Sequence, residues 1–328
     1  MKKGKVIIII SMMTIVLSCI GIAFVNSTNL SNANPNEQRR IEFKIYGPTS
    51  DKSSIRVTKD AVFDEAFFEK SSLEYNNELA KMSLNMAIAA ATTAESMQYY
   101  GKTLNKVAKV NNANIDYSNS RNGYLAKAYK DMGFSNDVYY KYEKPLNDST
   151  DTAAHGIASK KITVNGKEYT LVNVSIRSAS YGSEWVSNFN LKNEENMSGF
   201  NSAAKEVYEH FDNYVRKHRL GKNTKVWING FSRGAAVANI TAAYIDRACA
   251  KGDYKFDLEN IYAYTFATPN GVVDEQEKEI HKSIYDNIMN VIYEADIVPA
   301  VAPEVWGFRR YGKEYIIPAI YMQGNNLD

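Results

Sequence analysis

The chain has 328 residues, 45% apolar and 23% charged, and a formal net charge of +2. That is enough apolar sequence to bury a full α/β core, and it lacks the polar bias of a disordered chain. The weak net charge, with Lys and Arg interspersed among Asp and Glu, gives no support to a nucleic-acid partner.

Lys2, Lys3 and Lys5 precede an uncharged apolar run from Val6 to Val25. Residues 1–25 therefore read as an export signal, or as an uncleaved membrane anchor since about 20 apolar residues can span a bilayer. A lipid anchor at Cys19 is a third, poorer reading, because Leu17 suits it badly. The expected location is secreted or at the cell surface. Without the leader only Cys249 is left, which excludes an internal disulfide and reads as a buried apolar residue.

Residues 26–42, rich in Asn and Ser at their start, read as a flexible tether. Residues 43–150 read as an N-terminal helical region packed on the rest. Phe67, Leu73, Leu79, Met82 and Met86 recur at helical steps, and Gly133 stops a later helix containing Leu125 and Ala128. From 151 onward a sheet is expected. Asn165-Gly166 between two β-prone runs predicts a type I′ hairpin. An amphipathic helix on Phe200, Ala203, Val207, Phe211 and Val215 follows, closed by Gly221. Then come strand Val226–Ile228, a helix from Ala235 to Ala250, strand Ile261–Phe266, a helical connection over 275–286, and strand Ile288–Tyr293. This alternation predicts a mostly parallel sheet with helices on both faces.

Gly230-Phe231-Ser232-Arg233-Gly234 is a G-x-S-x-G sequence between a predicted strand and a predicted helix. In that context it predicts a nucleophile elbow. Gly230 and Gly234 are small because the turn is tight, the Ser232 hydroxyl stands at the carboxyl end of the sheet, and the Arg233 backbone N–H can stabilise an oxyanion. Asp296 follows strand Ile288–Tyr293 and so comes after the serine, as the acid of a Ser, Asp, His order should. Two other readings stay open: Asp296 as a cap of the turn before Pro299, and Glu294 as the acid. The four histidines, His155, His210, His218 and His281, all precede Asp296, and none is assigned to catalysis.

Several separated motifs between Phe67 and Pro318 carry a resemblance to a known family. They are the elbow, Val174-Ser-Ile-Arg177 leading to Ser183-Glu-Trp185-Val-Ser-Asn188, Phe266-Ala-Thr-Pro269, and Ala295-Asp296-Ile-Val-Pro299. Together they resemble the class 3 (fungal-type) lipase family, in its bacterial exported branch. The resemblance implies an α/β-hydrolase fold and ester hydrolysis without metal or cofactor. It implies Ser232 as nucleophile, Asp296 as triad acid, and backbone donors at Ala179 and Arg233. The substrate would be an acylglycerol-like ester or another lipid, with contact at a lipid or membrane surface. It also implies a histidine after Asp296, so the core at 151–328 is expected to be incomplete at its C-terminal end. The chain departs from the family's pattern at Ser178, Ala179 and that histidine. The alternatives are an inactive hydrolase-fold surface binding protein and a phospholipase.

Overall fold

The computed structural model describes residues 39–47, 57–90, 124–134, 137–141, 152–178, 198–274 and 276–319. The leader, most of the tether, Ala179 and the Ser183–Asn188 motif lie outside them. No helix among the described residues is long and apolar enough to cross a membrane.

Two strands open the described chain, β1 (Arg40–Gly47) and β2 (Val57–Asp64), paired antiparallel from Arg40↔Asp64 to Gly47↔Val57. This corrects the sequence reading twice, since β1 starts inside the supposed tether and β2 replaces the start of the expected helical region. The signal was a period of two: Ile41, Phe43 and Ile45 alternate with Arg40, Glu42 and Lys44. The helical region proper holds α1 (Asn77–Ala90) and α2 (Tyr124–Asp131). Gly133, at φ 75°, ends α2 as predicted.

The main sheet begins with β3 (Tyr139–Lys141), β4 (His155–Val164) and β5 (Lys167–Ile176). Asn165 and Gly166 join β4 to β5 at φ 49° and 73°, the two left-handed positions that a type I′ turn demands. Then follow α3 (Ser198–Lys217), β6 (Thr224–Phe231), α4 (Arg233–Ala250), β7 (Ile261–Phe266), the short β8 (Val272–Val273) and β9 (Ile288–Tyr293). Last come β10 (Phe308–Arg309), antiparallel to β8, and β11 (Lys313–Ile317), which the sequence reading did not foresee.

The seven strands lie in the order β11-β9-β7-β6-β5-β4-β3. From β5 through β11 all neighbours are parallel, while β4 and β3 extend the sheet antiparallel. This is a mostly parallel sheet with helices packed on both of its faces. Every residue of β6 and β7 is buried, as central parallel strands covered on both faces require. Val226 and Ile228 face α3 and α4, packing with Phe200, Val207 and Phe211. Trp227 faces the other way, against Phe63, Phe68, Leu79 and Met86, and its Nε1 donates to Ser83 Oγ of α1 at 2.7 Å. The N-terminal segments therefore complete the second face.

Two further expectations need correction. Helix α3 is closed at Arg219 (φ 51°), where the Leu220 N–H reaches back to Val215 O at 3.0 Å, and not at Gly221, whose φ is not positive. Of the helix expected over 275–286, the described residues 276–286 hold only the 3-10 turn Ser283–Tyr285. Asp274 organises this stretch instead, its carboxylate accepting from the N–H groups of Lys278, Glu279 and Ile280.

Asp246 is fully buried in α4, with one oxygen held by Asn287 Nδ2 at 2.9 Å. Burial pushes its carboxyl well above the usual range. The folded state thus binds this proton more tightly than the unfolded chain, so the charged form costs stability as pH rises. Asp246→Asn is expected to stabilise the protein at pH 8 by about 1–2 kcal/mol and much less at pH 5. Urea melts at the two pH values read this out; an equal effect at both would show that Asp246 carries no such penalty.

Candidate active site

The last residue of β6 and the first of α4 flank Ser232, which sits at φ 55° and ψ −126°. A non-glycine residue held there stores about 1–3 kcal/mol, so the surroundings must impose the geometry. They do so through the backbone: the Ser232 N–H donates to Phe266 O at 2.9 Å, and Ser232 O accepts from the N–H of Ala235 (2.8 Å) and Ala236 (3.2 Å). Ala267, on the adjacent strand exit, is also left-handed at φ 50°. Two neighbouring strand exits at this edge thus each hold a non-glycine residue in the left-handed region.

The two glycines are a steric necessity. A Cβ on Gly230 would stand 2.3 Å from Gly234 O, and one on Gly234 would stand 2.5 Å from Arg177 O and 2.8 Å from Ile176 O. The first turn of α4 is thereby pressed against the exit of β5. Arg233 is the first residue of α4, so its N–H is among the four without an intrahelical acceptor. Its guanidinium is turned inward, 5.9 Å from the Phe200 ring centroid.

Strand register brings Ser178 and the exit of β9, which leads to Asp296, to the same edge. Ile176 pairs with Gly230, so Ser178 lies level with Ser232 one strand away. Ala179, next in sequence, is outside the described residues. On the other side Phe231 pairs with Phe266 and Phe266 with Val291, which places the exit of β9 two strands from the elbow, or about 10 Å.

Asp296 is half-buried in the turn after β9. Its N–H donates to Tyr293 O at 3.0 Å, and its Oδ1 accepts from Val298 N at 2.9 Å. The capping interaction is therefore real, and it fixes the carboxyl in place. Burial raises its pKa, opposed by the Val298 N–H. Glu294 goes elsewhere: it is exposed, and its Oε2 accepts from Ala319 N at 3.0 Å beyond β11.

The sequence reading missed the residues that hold this loop. Arg310 is buried, donates to Pro299 O at 3.0 Å and to Thr268 O, and pairs with Glu314 at 2.6 Å. The Asn270 N–H reaches Val301 O at 2.7 Å, and its Nδ2 reaches Ala302 O at 3.0 Å. Together they clamp the loop after β7 to the loop bearing Asp296. A network behind them, Thr268 to Thr265 to Asn290 to Asn239, ties the loop after β7 and strand β9 to α4.

The histidines are engaged away from this edge's centre. His155 is buried, with Nδ1 2.8 Å from Ala153 O and Nε2 3.0 Å from His210 Nδ1. Burial lowers His155 to about 3, and His210 is lowered by burial and then by Lys141. The pair is therefore neutral, with His155 carrying its proton on Nδ1 to suit the carbonyl. His218 lies 3.1 Å from Asp137, and His281 lies 3.5 Å from Glu277. Among the described residues no group of three or more His, Cys, Asp or Glu is arranged to hold a metal ion.

Residues 172–306 match the family model described as lipase (class 3), a span that includes Ser232 and Asp296. The family resemblance read from the motifs is thus borne out over that span. No curated protein matches the chain. Similar solved structures include a lipase from Rhizopus microsporus var. chinensis, with 16% identity, 74% of this chain and 76% of that chain covered, and a TM-score of 0.45. Another is lipase II from Rhizopus niveus, at 15% identity, 74% and 82% coverage, and a TM-score of 0.44.

Proposed function

We propose, on the premise of the class 3 lipase match over residues 172–306, that this protein hydrolyses carboxylic esters through an acyl-enzyme on Ser232. The observation that carries the reading is the elbow itself. A left-handed serine lies between two glycines that backbone atoms forbid to be anything larger, at the N-terminus of an 18-residue helix. In the proposed reaction Ser232 Oγ attacks the ester carbonyl. The N–H groups of Arg233 and Ala179 hold the oxyanion, and Asp296 orients and stabilises the imidazolium that forms when a histidine takes the serine proton. The alcohol leaves, and water then releases the acid. Acylglycerol-like esters presented at a lipid surface are the substrates we favour, and the apolar leader after Lys2, Lys3 and Lys5 supports export.

One observation favours a second reading: none of the four histidines hydrogen-bonds to Ser232 or Asp296 among the described residues. A serine without a base is a weak nucleophile, and the chain would then be a binding protein on a hydrolase fold. A fluorophosphonate probe, which phosphonylates activated serines, separates the two. We expect stoichiometric labelling of the full-length protein, mapped by mass spectrometry to Ser232. A protein that stays unlabelled while correctly folded is the binding protein.

A further inference from the structure

The opposite, amino-terminal edge of the sheet holds a cavity of about 410 Å³ between the starts of β5, β6 and β7 and the segment after β2. Its floor is Lys225, on β6, seven residues before Ser232 and so about 23 Å from it along the strand. We propose that this cavity is a binding site for a small oxyanion, a carboxylate or a phosphate, held by the Lys225 ammonium with Lys167 and Lys70 at the rim.

A lysine only 5% exposed is unusual, because its charge needs replacement for lost water. Lys225 is partly compensated. Its Nζ donates to Asn260 Oδ1 and to Tyr262 OH, both at 2.9 Å, and lies 5.0 Å and 5.1 Å from the ring centroids of Tyr169 and Tyr262. The Tyr262 hydroxyl spends its own proton on the carbonyls of Phe68 and Lys70, so it serves Lys225 as an acceptor. An ammonium has three N–H donors, and two are used. Among the described residues no acceptor meets the third, while the side chain lines a cavity.

The surrounding charge favours an anion. Lys70, Lys167 and Lys225 line the cavity with two carboxylates, Glu69 and Glu259. Glu69 is committed to Arg39 at 2.6 Å, and Glu259 is exposed. Burial, and then Lys167, lower Lys225 to about 8, with Glu259 acting the other way. A bound oxyanion would relieve both lowering effects and supply the missing acceptor. Binding should therefore take up a proton, be strongest below pH 8, and weaken by about tenfold per pH unit above it.

The test is independent of ester hydrolysis. Full-length protein with ¹³C-labelled lysine is titrated at constant ionic strength with sodium acetate and, separately, with sodium phosphate, following the Lys225 ε-carbon by NMR. Saturable shifts are expected, with the Lys225 titration midpoint moving up when anion is bound. Acetate alone saturating identifies a carboxylate site, phosphate alone a phosphate site. Lys225→Met should weaken binding at least tenfold, and Lys225→Arg should restore most of it. Exposed Lys167 is safe for the fold, so Lys167→Ala should weaken binding and raise the free Lys225 midpoint. Non-saturable shifts shared by all lysines, or unchanged binding in a folded Lys225→Met protein, overturn the proposal.

Discussion

Ser232→Ala should lower ester turnover by on the order of 10⁵-fold or more while changing stability by no more than about 0.5 kcal/mol. The asymmetry follows from what the side chain does and does not do. Ser232 is the N-cap of α4, yet its hydroxyl makes no capping hydrogen bond, and the turn is held by its backbone N–H and carbonyl, which alanine retains. Alanine at φ 55° is as strained as serine, so the strain is unchanged as well. Under the proposed mechanism only the nucleophile is lost. Steady-state hydrolysis of a chromogenic ester, beside a thermal melt, measures both halves. Esterase activity persisting in the variant at more than a trace would remove Ser232 from the chemistry.

Much of this edge was legible from sequence because its determinants are local. The elbow needs two glycines within five residues of a strand end, and the strands Ile261–Phe266 and Ile288–Tyr293 are apolar runs that the structure reproduces to the residue. What was illegible is long-range. Nothing near Arg310 in sequence shows that its guanidinium will bridge Thr268 and Pro299, and nothing near Asn270 shows it will bind the carbonyl of Ala302. The engagement of Glu294 depends on β11, a strand the sequence reading does not identify, beyond whose exit the Ala319 N–H donates to it. The β1–β2 hairpin was missed for a different reason. Its alternation is short, and the helical spacing downstream of Phe67 was extended back over it, although Ala61 and Phe63 follow a period of two. The opposing error at 275–286 came from charged residues at helical spacing, where the Asp274 carboxylate ties the backbone into turns.

Gly234→Ala should damage both stability and catalysis, and its contrast with Gly221→Ala isolates the cause. A methyl at 234 would stand 2.5 Å from Arg177 O, 2.7 Å from Arg177 C and 2.8 Å from Ile176 O. These are backbone atoms of the strand exit, with no flexible side chain to swing aside. Either α4 moves out or the Arg177–Ser178 segment moves away, at a cost of about 3 kcal/mol, equivalent to a Tm loss of roughly 6 °C or more. Arg177 is also tied to the residue entering β4, its N–H donating to Ala154 O at 2.8 Å, so displacement on that side breaks this bond. Under the proposed mechanism the same shift separates the Arg233 N–H from the segment leading to Ala179, which opens the oxyanion site. Loss of one such donor costs about 10²- to 10³-fold in kcat, so the surviving folded protein should turn over that much more slowly at unchanged Ser232. At Gly221 an added Cβ meets nothing within 4 Å and φ is not positive, so alanine there should be neutral or slightly stabilising. If the two variants melt and turn over alike, the close approach of α4 to the β5 exit does not shape the site.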